Sequence, residues 1–146
     1  MRQLRQARPR RGATAVETAL VLGACLLLFF GLFEYGRFVM VRQLLDNAAR
    51  EGARQAVVST NSLTAADIQN TVTAYMAGQQ PAGFAVQVYK ADPATGANLG
   101  SWDTAAFGDA IAVKASATYQ PLLPTLGLLP SSVPVQATVI MRSEAN

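Results

Sequence analysis

Sixteen consecutive residues, Thr18 to Phe33, carry no charge and are dense in Leu, Phe, Val and Ala, and the run is closed at its ends by Glu17 and Glu34. A helix that crosses a bilayer needs about 20 apolar residues at a rise of 1.5 Å each. The stretch from Gly12 to Phe33 attains that length only with Glu17 inside it. A carboxylate at the edge of hydrocarbon costs a few kcal/mol and calls for a partner. Any account of this chain therefore has to explain both an anchor and the acid placed within it.

The charge distribution restricts the reading further. The chain has 146 residues and a formal charge of +3, yet Arg2, Arg5, Arg8, Arg10 and Arg11 all precede residue 12, with no acidic residue among them. From residue 13 onward there are 7 basic residues (12 − 5) against 9 acidic ones, so the rest of the chain is slightly acidic and lacks a nucleic-acid-binding footprint. The length leaves room for one small domain besides the apolar segment. Histidine is absent, which removes the commonest general base and metal ligand, and a Ser-His-Asp triad with them. Cys25 is the only cysteine, so no intrachain disulfide forms. No phosphate-cradling glycine loop occurs. Asp92, Asp103 and Asp109 lack the one-three-five spacing of a compact calcium loop and read as solvated turn residues. The chain is expected to be neither an enzyme nor a carrier of a cofactor or metal.

Three readings of the N-terminus compete. A secretory signal peptide has the arginine-rich start, but Glu17 interrupts the apolar run and no small-x-small cleavage site follows it. Leu22-Gly23-Ala24-Cys25 resembles a lipobox, in which the cysteine is acylated. Only seven uncharged residues precede Cys25, however, and eight apolar ones, Leu26 to Phe33, follow where a lipoprotein has a polar tether. The third reading takes the segment whole. Arg11-Gly12-Ala13-Thr14-Ala15-Val16-Glu17 resembles the class III leader site of prepilins, where a membrane aspartyl peptidase cuts after glycine and leaves glutamate as the fifth mature residue.

That resemblance implies a leader of residues 1–12, a cut between Gly12 and Ala13, and Glu17 as an assembly residue. The glutamate would pair with the ammonium of a neighbouring subunit's new N-terminus, turning a costly charge into a contact. Residues 13–35 are then a membrane helix anchored by Ala19, Leu20, Val21, Leu22, Leu26, Leu27, Leu28, Phe29, Phe30, Leu32 and Phe33. The five leader arginines hold its N-terminus in the cytoplasm.

Two further segments extend the resemblance. Gly31-Leu32-Phe33-Glu34-Tyr35-Gly36-Arg37 and Asp46-Asn47-Ala48-Ala49-Arg50-Glu51-Gly52-Ala53-Arg54, taken with Val16 to Leu22, resemble the signature of the TadE-like family. Thr18 stands where that family usually has an aromatic residue. The family comprises minor pilins or pseudopilins of the tight-adherence (Flp, type IVc) pilus. It implies a protein of the bacterial inner membrane that takes part in initiating or capping a pilus for surface attachment. Its implied partners are the prepilin peptidase, other minor pilins, the major pilin and the pilus assembly platform. The implied family residues are Glu34, Tyr35, Gly36, Arg37, Asn47, Ala48, Ala49, Arg50, Gly52, Ala53 and Arg54. The other function class is a membrane-anchored or lipidated extracytoplasmic binding domain.

Residues 36–146 read as an extracytoplasmic α+β domain. Phe38, Val41, Leu45, Ala48, Gly52 and Ala56 recur at helical spacing, which predicts a continuation of the first helix to about residue 58. Arg42, Asp46 and Arg50 stand four apart and offer weak ion pairs. The small residues Ala48, Ala49, Gly52 and Ala53 suit close approach either of a second subunit or of the domain's own sheet. Thr64-Ala65-Ala66-Asp67 predicts a capping box that opens a second helix over about 65–77, with Ile68, Val72 and Tyr75 or Met76 inward. The period then changes to two, predicting three antiparallel strands over about 84–91, 110–119 and 133–142. Asp92 to Gly96 has turn chemistry. The leucine- and proline-rich stretch 120–132 is either a core-closing loop or an exposed contact surface.

Overall fold

Between Pro9 and Pro81 no proline interrupts the chain, and Ala, Leu, Glu, Gln and Arg dominate, so nothing opposes one long helix until the polar cluster after Val58. A computed structural model of the protein describes residues 11–60, 62–122 and 130–144. In it helix α1 spans Arg11–Val58. The chain divides into two units, Met1–Gly36 and Arg37–Asn146. Residues 1–10, which hold most of the expected leader, and 123–129, the centre of the leucine and proline stretch, lie outside the described residues.

In the first unit, every described side chain from Gly12 to Phe33 is exposed. Leu20 is 72%, Leu28 77% and Phe29 68% accessible. Thr18 turns its hydroxyl back on the helix, donating to the Thr14 carbonyl at 2.8 Å, so its polar atom is satisfied without a partner outside the helix. A Cβ added at Gly23 or Gly31 would meet nothing within 4 Å. A helix that is apolar all round and uncovered is not a stable arrangement in water, where each Leu or Phe left exposed forgoes about 1.5–3 kcal/mol.

The second unit begins on the C-terminal part of α1. Helix α2 (Ala65–Tyr75) opens with the expected capping box: the Asp67 amide donates to Thr64 Oγ1 at 3.3 Å, and Asp67 Oδ2 accepts from the Thr64 amide at 2.8 Å. It ends where Ala77 and Gly78 take positive φ values of 49° and 76°, a left-handed pair that cannot continue the helix. Four strands follow: β1 (Ala82–Ala91), β2 (Asn98–Gly100), β3 (Ala110–Tyr119) and β4 (Val133–Arg142), with a short 3-10 turn at Trp102–Thr104. The sheet is antiparallel in the order β2-β1-β3-β4. The sequence predicts three strands. The fourth, β2, is three exposed residues paired to the end of β1 across the Asp92 turn, too short to show alternation.

The register explains the core. Val88 faces Val113, which faces Val139, and Val86, Ala115 and Ala137 align one pair further along, so the alternating positions of three strands share one face. Against it lies the stripe of α1, with Leu45, Ala48, Ala49, Ala53 and Ala56 fully buried. Of the α2 candidates it is Met76 that is buried, while Tyr75 is half exposed. Trp102 closes the same cluster.

Gly52 is the tightest point of this packing. A Cβ there would collide with Val72 Cγ2 and lie 3.5 Å from Val113 Cγ1 and 3.6 Å from Ile68 Cγ2, so α2 and β3 both reach α1 through the space a side chain would fill. The small-residue stripe therefore serves the domain's own core. Gly52→Ala is expected to destabilise the domain by about 1–3 kcal/mol through overpacking. Val72→Ala removes the colliding methyl, so the double variant should be less destabilised than the sum of the two single changes. Urea unfolding in detergent, followed by Trp102 fluorescence, measures both.

Candidate assembly site

A pilin-type site needs a cleavable backbone, a charge in the anchor, and a domain that leaves both free. Gly12 and Ala13 lie in the first turn of α1. Glu17 is one turn further on and exposed, and among the described residues it has no ion-pair or hydrogen-bond partner. The anchor residues Ala19, Leu20, Val21, Leu22, Leu26 to Phe30, Leu32 and Phe33 are all exposed on this segment, as is Cys25. Helix α1 is the one described helix long and apolar enough to cross a membrane.

The next motif changes character along its length. Glu34 is buried, at 4% exposure, while Tyr35 and Gly36 are exposed. Arg37 opens the second unit. Its guanidinium lies 5.2 Å from the centroid of the Tyr119 ring, and Nη2 donates to the Gln120 carbonyl at 3.2 Å. Phe38 meets the same ring edge-on at 5.4 Å. Helix α1 and the end of β3 are thus joined by a cation over an aromatic face, a contact worth about 0.5–2 kcal/mol by degree of desolvation. Nothing in the sequence links residues 82 positions apart, although the alternation along β3 does turn Tyr119 inward.

The third motif splits by face. Ala48, Ala49, Gly52 and Ala53 are buried, whereas Asn47, Arg50 and Arg54 are exposed. Asp46 pairs with Arg50 at 2.9 Å, and Glu51 with Arg54 one turn later. The Arg42–Asp46 pair, expected alongside it, is not formed among the described residues, where Asp46 turns toward Arg50. The motif residues are consequently not one cluster: they alternate between a core-facing stripe and a charged outer face.

Asp92 and Asp109 hold turns of the second unit. Asp92 Oδ1 accepts from the Ala94 and Thr95 amides at 2.9 and 2.7 Å and from the Thr95 hydroxyl. Asp109 accepts from Lys90 Nζ at 2.6 Å and from the Ala106 amide at 2.8 Å. Residues 143 and 144 are tied in beside it, with the Ser143 amide donating to the Asp109 carbonyl at 2.7 Å and the Glu144 amide to the Val57 carbonyl at 2.9 Å. Each acid is engaged by a specific neighbour, so the charged form is favoured in the folded state. Lys90 lowers the Asp109 pKa, the Thr95 backbone amide that of Asp92, the Thr64 hydroxyl that of Asp67, and Arg54 that of Glu51.

Against known proteins, residues 12–54 match the model of the TadE-like protein family. No curated protein and no solved structure matches the chain. The TadE-like segment starts at the expected cleavage glycine and ends at Arg54, so it contains all three sequence motifs and stops short of α2 and the sheet. Along that segment the chain is similar to the TadE-like family, and α1 is long and apolar enough to cross a membrane.

The lowered carboxylate pKa values have a definite sign. A carboxylate with a depressed folded pKa contributes stability that is complete above its unfolded value and is lost as pH falls through the folded one. Domain stability should therefore be flat from neutral pH down to the ordinary carboxylate range and fall below it. Asp109→Asn should lower the neutral-pH stability and flatten the acid limb. Thermal unfolding from pH 7 to pH 3 measures the slope, and an unchanged acid limb would contradict the assignment.

Proposed function

We propose that this TadE-like protein is a minor pilin or pseudopilin, cleaved after Gly12 by a prepilin peptidase, that helps initiate or cap a tight-adherence pilus. The observation that carries the reading is Glu17: an exposed carboxylate at the start of an otherwise apolar helix, unpartnered among the described residues, and five positions from a glycine that follows a basic leader. A charge so placed is costly in a lone membrane helix and useful in a bundle of them, where a neighbour's free ammonium at Ala13 answers it. The uncovered leucines and phenylalanines provide the rest of the contact, first with lipid and then with adjacent subunits.

The domain argues for few copies. Major tight-adherence pilins are, as a family, little more than the N-terminal helix, whereas here two helical segments and a four-stranded sheet follow residue 36. A body of that size repeated at every subunit would crowd a thin filament, since two domains cannot share volume. It fits better at a tip or an initiating complex, where its exposed surface meets sister minor pilins.

Glu17→Gln tests the charge pairing. The variant should insert into the inner membrane as well as the native protein or better, because a charge has left the apolar segment, while piliation and co-purification with pilus components fall sharply. Normal piliation by the variant would contradict the pairing. Quantitative mass spectrometry of purified pili tests the role: this chain should be far less abundant than the major pilin, and comparable amounts would refute a minor one.

A further inference from the structure

The two edges of the sheet are finished differently. On the β1 side the edge is broken up: β2 covers only the end of β1, a bulge interrupts the register between Ala82 and Ala85, and the Gln69 side-chain amide of α2 donates to the Val86 carbonyl at 3.1 Å. Short strands, bulges and covering side chains are the devices that close an edge to other strands. Strand β4, at the opposite edge, has none of them between Pro134 at its start and Arg142 at its end. Its ten residues run in unbroken register from Ala110↔Arg142 to Tyr119↔Val133, with no charge before Arg142.

Two observations fix which backbone groups of β4 face outward. The Ser143 amide donates to the Asp109 carbonyl at 2.7 Å and its carbonyl accepts from the Gly108 amide at 2.9 Å, so the odd-numbered position there turns toward the β3 side. Pro134, which has no N–H to give, falls on the opposite parity, where no ladder bond to β3 is lost. Counting by two, the backbone groups of Gln136, Thr138, Ile140 and Arg142 point away from β3, and no further strand pairs with them among the described residues. The side chains grade in the same direction. On the core face Ile111 and Val113 of β3 are fully buried, but Val133, Val139 and Met141 of β4 only partly, so the apolar layer thins at this edge. On the other face Gln136 and Thr138 are exposed and neutral, and Arg142 takes part in none of the ion pairs among the described residues.

We propose that the free edge of β4 is a docking site for an extended segment of a different chain, which adds a strand to the sheet. The edge sets the chemistry of that segment. It has about nine residues, apolar at alternate positions to continue the row of Val139 and Met141, neutral and polar at the others, with a carboxylate opposite Arg142. A second copy does not supply this, because β4 holds no acid and pairing it with itself leaves Arg142 unanswered. Only the second unit takes part.

The probe is a nonapeptide with glutamate first and valine and threonine alternating after it. In antiparallel register it sets glutamate opposite Arg142 and the valines on the core face. Amide hydrogen exchange, read by NMR on the full-length protein in dodecyl maltoside micelles, reports the contact residue by residue. In the free protein Gln136, Thr138 and Ile140 should exchange fast, while Ala137 and Val139, bonded to β3, exchange slowly. At about ten times its Kd the peptide should slow the first three by about tenfold and leave the other two slow. Thr138→Pro takes a donor from the free edge without touching a bond to β3, and should abolish the slowing while Ala137 and Val139 stay protected. The same peptide N-methylated at its threonines leaves the protein unchanged and should be equally inert. Arg142→Gln should weaken binding by about two- to fivefold. No slowing by the probe, or equal slowing by the N-methylated or a scrambled peptide, would overturn the proposal. So would slow exchange at Gln136, Thr138 and Ile140 in the free protein, or slowing that rises with protein concentration and so assigns the edge to a second copy.

Discussion

The missing side chain at Gly52 is the point on which the domain turns. Because α1 presents no Cβ there, Val72 and Ile68 of α2 and Val113 of β3 converge on one place on its surface. Helix, second helix and sheet then share a single core, lined on α1 by alanines at positions 48, 49, 53 and 56. A larger residue would hold α2 away from the sheet and open the cluster around Ile68, Val72 and Met76. The close approach also explains why alanine is abundant on the inward face of β3 and β4, where Ala115, Ala117 and Ala137 meet a helix lying near the sheet.

The same helix has a different chemistry before residue 37. From Thr18 to Phe33 its described residues are uncharged and exposed on every side, so these side chains require a solvent other than water. Between the two regimes stand Tyr35, Gly36 and Arg37, and Arg37 ties the domain's first turn of α1 to the last residues of β3 through Tyr119 and Gln120. The matched segment thus has two environments: an exposed apolar stretch up to Phe33 and a core-forming stripe that includes Leu45, Ala48, Ala49 and Ala53. That division accounts for a family match ending at Arg54, where the core-forming stripe of α1 is nearly complete.

Much of this was legible in the sequence because it rests on periodicity. The strands at 110–119 and 133–142 and the end of α1 at Val58 follow from alternation and helical spacing, and the capping box from four adjacent residues. Strand β2 was not legible: three exposed residues carry no alternation, and their pairing depends on a turn built by Asp92. Nor was the burial of Trp102, set by a single 3-10 turn, or the Arg37–Tyr119 stack, which joins distant residues. In the candidate site Glu17 stood out as a charge in an apolar run. Glu34, which reads as the far boundary of that run, is instead buried, a difference periodicity does not register.

We propose that the helix beginning at Ala13 is a mature pilin-type anchor whose new N-terminus pairs with Glu17 of a neighbouring subunit. Mass spectrometry of the N-terminal peptide of the protein, isolated from membranes of a cell that makes the pilus, tests this most directly. The account predicts a terminus at Ala13. An intact Met1, or a terminus at an acylated Cys25, would contradict it.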